Sequence, residues 1–168
     1  MKLLLLMAIT ADGKIARHRS EFPGWTSKAD KRMFRSITEA AGVVIMGSRT
    51  YETIGSPLPN RLNVVLTRRP DAYQPASNLL FRADAPGILT QWLASKGYET
   101  AVLAGGATIN SLFLREHLID EMMLTVVPRV FGQGLSLFSE PADIKLSLIT
   151  AQEMDQDLQL LHYRFLYN

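Results

Sequence analysis

Apolar residues fill every position from Leu3 to Ile9, so the chain opens on a segment with no polar face. That is the pattern of a central strand covered by helices on both sides. A polar stretch from Thr10 to Trp25, interrupted by Gly13, Pro23 and Gly24, reads as a long loop. Thr26-Ser27-Lys28-Ala29-Asp30 then opens a helix in which Ala29, Met33, Ile37 and Ala41 recur at four-residue spacing with Phe34 beside them, and Gly42 ends it. Val43–Met46 is a second unbroken apolar run. Gly47 allows a tight turn there, and Ser48 or Thr50 can cap a short helix bearing Tyr51 and Ile54. Gly55 and Pro57-Leu58-Pro59 close that helix before a buried strand at Asn63–Thr67.

Beyond Pro70 and Pro75 the pattern predicts a strand at Leu79–Arg82, a helix from Pro86 to Lys96 and a strand at Thr100–Ala104. Gly105-Gly106-Ala107-Thr108 turns into a helix with Ile109, Leu112 and Phe113 on its apolar side. Asp120–Val127 reads as a strand, Pro128–Gly134 as an irregular connection. Ile144–Met154 and Leu158–Tyr167 read as two alternating runs joined at Asp155-Gln156-Asp157, a C-terminal antiparallel hairpin. The order predicts one α/β domain over residues 1–168, with a central, mostly parallel sheet flanked by helices and an antiparallel edge.

Composition narrows the chemistry. The net charge is +2, too small a surplus to argue for nucleic acid or a membrane surface. With no cysteine, disulfides and thiolate chemistry are excluded, and His18, His117 and His162 lie too far apart in sequence to suggest a metal site. The opening apolar run lacks a small-x-small cleavage site and is better read as a strand than as a leader. No segment reaches about 18 consecutive apolar residues, and the expected location is the cytoplasm.

Two strand–glycine–helix turns, at Gly47 and at Gly105-Gly106, offer helix N–H groups to phosphate. Arg49 sits at the first, and Thr67, Arg68 and Arg69 end the strand after it, donors suited to a further phosphate. Together they suggest NADPH rather than NADH. The spacing is not that of a standard Rossmann fingerprint. Asp30 is open to two readings: a carboxylate facing a cleft beside Met33 and Phe34, or the acidic partner of a Ser27-x-x-Asp30 capping box.

Trp25–Asp30, Val44–Gly55, Pro57-Leu58-Pro59-Asn60-Arg61, Val64–Arg68 and Gly105-Gly106-Ala107 resemble the dihydrofolate reductase family in order and approximate spacing. The resemblance implies that fold, and a role for each matching residue. Asp30 is the active-site acid that binds the pterin ring and promotes protonation of N5. Ala8 and Ile15 border the nicotinamide, while Leu6, Phe34 and Ile54 line the substrate cleft. Thr125 supports the acid through a hydrogen bond. Arg61 takes the α-carboxylate of the folate glutamate. Gly47, Ser48, Arg49, Thr50, Thr67 and Arg68 hold the phosphates of NADPH, and Gly105, Gly106, Ala107 and Thr108 its pyrophosphate. Thr10–Trp25 becomes a mobile loop over the nicotinamide.

Other segments resemble the related riboflavin-pathway reductase domain: Asp12–Ala16, Ile119-Asp120-Glu121 and Pro128–Gly134. Ser48 stands where the folate enzymes often have an arginine, and Asn110 replaces a common tyrosine. The leading expectation is therefore NADPH-dependent reduction of 7,8-dihydrofolate to tetrahydrofolate. The alternative is reduction of a ribosylamino-pyrimidine phosphate in riboflavin synthesis, with Lys14, Arg17 or Arg19 meeting the ribose phosphate. A non-catalytic NADP-binding protein is the third reading. The expected partner is a small molecule, bound by a monomer or a homodimer.

Overall fold

A computed structural model describes residues 1–21, 24–154 and 157–167. Its central strand is β1 (Lys2–Thr10), bracketed in parallel by β6 (Thr100–Leu103) and β7 (Glu121–Val127). Outward from β6 lie β3 (Val43–Gly47), β4 (Leu62–Leu66) and β5 (Leu79–Arg82), all parallel. Beyond β7 come β10 (Gln159–Leu166) and β9 (Lys145–Glu153), antiparallel to their neighbours. The eight-stranded order is β5-β4-β3-β6-β1-β7-β10-β9, the mostly parallel sheet with an antiparallel C-terminal hairpin that the pattern predicts.

Alternation along the strands divides the core. Leu3, Leu5, Val43, Ile45 and Val64 pack with α3 (Pro86–Ser95) through Leu89 and Leu93, and with α4 (Ala107–Arg115) through Phe113 and Leu114. The opposite face, with Val44, Met46 and Val65, meets Phe34 of α1 (Lys28–Ala41) and Tyr51 and Ile54 of α2 (Ser48–Ile54). A strand so covered needs apolar residues on both sides, which explains the continuous opening run. No described helix is long and apolar enough to cross a membrane.

Two expectations are corrected. The stripe Ala29, Met33, Ile37 and Ala41 is only half-buried; the buried positions of α1 are Asp30 and Thr38, on the seam that also carries Phe34. That seam faces a cleft and a guanidinium, so it is polar where a helix packed on pure core would be apolar. Within the presumed loops, β2 (Lys14–Ala16) pairs with β8 (Leu135–Ser136). Asp12 braces the same region, accepting from Thr10 Oγ1 at 2.5 Å, Gly132 N at 2.8 Å and Phe131 N at 3.2 Å. The Thr10 hydroxyl holds this carboxyl below its ordinary range against burial, helped by the Phe131 and Gly132 amides. Residues 22–23 of the expected Thr10–Trp25 loop and 155–156 of the hairpin turn lie outside the described residues.

At the opposite end of β1, buried Glu121 meets Lys2 Nζ at 2.6 Å, His162 Nε2 at 2.7 Å and Arg164 Nη2 at 3.7 Å. Burial pushes the Glu121 carboxyl up, but the hydrogen bonds from Lys2 and His162 outweigh it and leave it below its ordinary value of 4.5. A depressed folded value stabilises above the unfolded value, and the gain is lost as pH falls through the folded one. Glu121→Gln should therefore cost about 1–2 kcal/mol near neutral pH. In thermal melts, the gap from wild type should close as the pH falls below 4.5; a gap independent of pH would contradict this account.

Candidate active site

The parallel strands β1, β3, β4 and β6 end on one side of the sheet, where an open α/β sheet places its ligands. A cavity of about 1050 Å³ lies there, and its lining includes Arg61, Asp30 and residues of both glycine turns. Its volume is enough for a drug-sized ligand and more. Its floor includes Leu6, Met7 and Ala8 of β1; Asp30 and Phe34 come from α1, and Thr53 and Ile54 from α2.

Asp30 is placed by local capping. Ser27, extended at φ −78° and ψ 167°, accepts the Asp30 backbone N–H at 3.1 Å, fixing the first turn of α1. The side chain of Asp30 lines the cavity and is 8% exposed. Of the capping box only the Ser27 half is present among the described residues: Ser27 caps the helix, and the Asp30 residue it positions lines the cavity.

The glycine turns meet each other. Gly47 N donates to Gly105 O at 2.8 Å, and the Gly105–Gly106 peptide is cis. A Cβ on Gly47 would stand 2.8 Å from Ile109 Cγ1, and Gly105 has φ +87°, so neither position accepts a side chain without displacement or strain. Gly47 and Gly106 are the N-caps of α2 and α4 and provide no side-chain cap, which leaves helix amides facing the cavity. Such an arrangement can cradle a diphosphate. Beside it a smaller cavity of about 230 Å³ is lined by Ser48, Arg49, Glu52, Thr67, Arg68, Arg69 and Tyr73. Tyr73 binds Glu52 at 2.6 Å, and among the described residues none of the three arginines is paired with a carboxylate. A phosphate monoester fits that charge.

The structure brings together Leu6, Ala8, Ile15, Asp30, Phe34, Gly47, Ser48, Arg49, Thr50, Ile54, Arg61, Thr67, Arg68, Gly106, Ala107 and Thr108 around the main cavity. Gly105 is not among the lining residues and is joined to them through the bond from Gly47 N. Thr125 does not fit its expected role: it is fully buried on β7 in register with Ala8, and its Oγ1 has no hydrogen-bond partner among the described residues, so it does not bond Asp30. The reason is one of layering, since the hydroxyl sits a strand away from the cavity wall. Of the basic residues proposed for a ribose phosphate, Arg19 lines the cavity, whereas Arg17 is bound to Glu21 and Lys14 reaches Ser136 at 3.4 Å.

Sequence reading gave Trp25 no role; it lines the cavity, and its indole Nε1 is buried with no hydrogen-bond partner among the described residues. Nor did it find the support beneath Arg61. Arg61 is 5% exposed, and its guanidinium donates to Thr38 Oγ1, to Pro59 O at 2.7 Å, to Arg35 O at 3.4 Å and to Glu39 Oε1 at 3.1 Å. Burial lowers its pKa, Glu39 opposes that shift and Arg35 adds to it. A signal was present only for part of this arrangement: Arg35 and Glu39 are four apart on one helix, an ion-pair spacing.

Comparison with known proteins bears on the family and the fold. The family model described as dihydrofolate reductase matches residues 2–167. The uncharacterized protein YwjB of Bacillus subtilis is 30% identical over 174 residues, covering 96% of this chain and 97% of that one. Among solved structures, the dihydrofolate reductase of Enterococcus faecalis complexed with NADP(H) is similar with a TM-score of 0.75 at 24% identity, covering 98% of this chain and 96% of that one. The diaminohydroxyphosphoribosylaminopyrimidine deaminase/5-amino-6-(5-phosphoribosylamino)uracil reductase of Thermotoga maritima reaches 0.81 at 18% identity, covering 98% of this chain and 56% of that one. The chain belongs to the dihydrofolate reductase family and is thereby an NAD(P)H-dependent oxidoreductase.

Proposed function

We propose that the protein reduces 7,8-dihydrofolate to tetrahydrofolate with NADPH. The observation that carries this reading is Asp30, a carboxylate held at the start of α1 and facing the cavity between β1, Phe34 and Ile54. A carboxylate there can accept the paired N–H groups of an amino-pyrimidine ring edge. Phe34 and Ile54 enclose the ring, and Leu6 and Ala8 form its floor. The backbone amides at Gly47 and Gly106 hold the cofactor's pyrophosphate, and Arg49, Thr67 and Arg68 hold its additional phosphate. When bound, the reduced nicotinamide supplies the hydride. The substrate's N5=C6 bond takes that hydride at C6 and a proton at N5. Asp30 favours the protonated ring, and Trp25 Nε1 is a buried donor able to hold a water beside it.

Arg19 supports a second reading, because it gives the cavity a cation for the phosphate of a ribosylamino-pyrimidine. Purified protein should oxidise NADPH on addition of 7,8-dihydrofolate, and NADH far more slowly. Turnover of the ribosylamino-pyrimidine phosphate with none of dihydrofolate would replace the first reading by the second.

A further inference from the structure

Arg61 lines the cavity just before β4, whose first residue Leu62 pairs with Val43 while Gly47 pairs with Leu66, so it stands a strand length from the first glycine turn, where the tail of a ring bound at Asp30 would lie. A bidentate grip on a carboxylate needs two parallel N–H groups of a guanidinium. Arginine has five N–H donors, and the contacts to Pro59, Arg35, Thr38 and Glu39 occupy four of them on Arg61. One N–H on Nη2 remains. A ligand carboxylate can therefore be gripped on two points only by displacing a partner already there.

The partner with the same chemistry is Glu39. Its Oε1 takes hydrogen bonds from Arg61 Nη2, Arg35 Nε and Asn60 Nδ2, each at 3.1 Å. Asn60 and Arg35 hold the Glu39 carboxyl below its ordinary range against burial, and the charges of Arg35 and Arg61 add to them. It is thus ionised at neutral pH. The Arg35–Arg61–Glu39 group carries +1, whereas the two arginines alone would offer +2 to an incoming anion. With its side chain 29% exposed, Glu39 is accessible enough to be exchanged for a ligand group.

Building on the dihydropterin-reductase reading, we infer that Glu39 is an internal competitor for the substrate carboxylate, which makes it a specificity-determining residue. It occupies the tail clamp, so that the site recognises the dihydropterin ring and gains little from a glutamate tail. The substrate class is then the dihydropterins broadly, with the carboxylated folates not singled out. Glu39 touches no reacting atom and acts through Arg61.

Glu39→Gln keeps the size of the side chain and its oxygen acceptor but removes the charge. In the variant the KM for 7,8-dihydrofolate should fall about 5–10-fold at unchanged kcat. For 6-hydroxymethyl-7,8-dihydropterin, which has the ring without the carboxylate, neither constant should move. A KM for dihydrofolate that stays or rises, or falls equally for both substrates, overturns the inference. A second readout does not depend on turnover: p-aminobenzoyl-L-glutamate, titrated by NMR, should bind the variant about 5–10-fold more tightly than wild type. The amide analogue lacking both carboxylates should bind the two proteins alike. Tighter fragment binding without reduction of either dihydropterin would overturn the reductase reading and leave the role of Glu39 standing; unchanged fragment binding overturns that role whatever the substrate.

Discussion

Replacing Asp30 by asparagine should lower kcat for dihydrofolate by about two orders of magnitude or more near neutral pH, the range for removing a group that governs proton transfer. Asparagine has the same shape, so the ring still finds a hydrogen-bond acceptor. What it loses is the charge that, on the proposed reading, stabilises a cationic, N5-protonated ring. Below about pH 5 the deficit should narrow, because the solvent can then protonate the substrate directly. The helix does not depend on this carboxylate, since the Asp30 backbone N–H is already capped by Ser27 Oγ at 3.1 Å. Loss of a favourable charge in the first turn is worth only about 0.3–1 kcal/mol. Stopped-flow and steady-state pH profiles, run alongside thermal melts, separate the two contributions. A variant with full turnover and a much lower melting temperature would reduce Asp30 to a helix-start residue.

The same residue illustrates what the sequence made legible. Ser27-x-x-Asp30 and the apolar run Val44–Met46 are local patterns, and local patterns identify the start of α1 and the strand beside it. The continuous apolarity of β1 likewise encodes its central place. The glycine turns were readable because backbone approach leaves few alternatives to glycine, as the 2.8 Å Ile109 contact at Gly47 demonstrates. The strands β2 and β8 have three and two residues, too few for any periodicity to register. The true inward seam of α1 was hidden for a different reason: Asp30 and Thr38 are polar, and a pattern reading looks for apolar residues inside. Thr125 shows the opposite limit. Its position matched a family pattern, but β7 lies beyond β1 and Thr125 is not among the residues that line the cavity, a layering that no spacing encodes. Nor does any local pattern bring Glu39 to Arg61, 22 residues away.

Asn63 carries the second large effect, this time on stability. It is fully buried on β4, and its amide reads both ends of the loop that carries Leu58, Pro59 and Arg61 along the cavity. Oδ1 accepts Leu58 N at 2.9 Å, while Nδ2 donates to Leu58 O at 2.9 Å and to Arg61 O and Asn78 O at 3.1 Å. Asn78 Nδ2 also donates to Leu58 O at 3.1 Å and Arg61 O at 3.4 Å, so those carbonyls keep a partner if Asn63 is lost. The Leu58 amide does not. Asn63→Ala thus combines one orphaned N–H with a small cavity, for a cost of about 2–4 kcal/mol. At this chain length a loss of about 3 kcal/mol lowers Tm by about 6–12 °C. Asn63→Asp should be worse despite keeping the acceptor, because it buries an unpaired charge and loses the donors. Leu58, Pro59 and Arg61 all line the cavity, so loosening this loop should also raise KM for dihydrofolate with little change in kcat. Differential scanning calorimetry tests the first effect and steady-state kinetics the second. An Asn63→Ala protein that melts with wild type would mean the loop is held by Asn78 and the sheet alone.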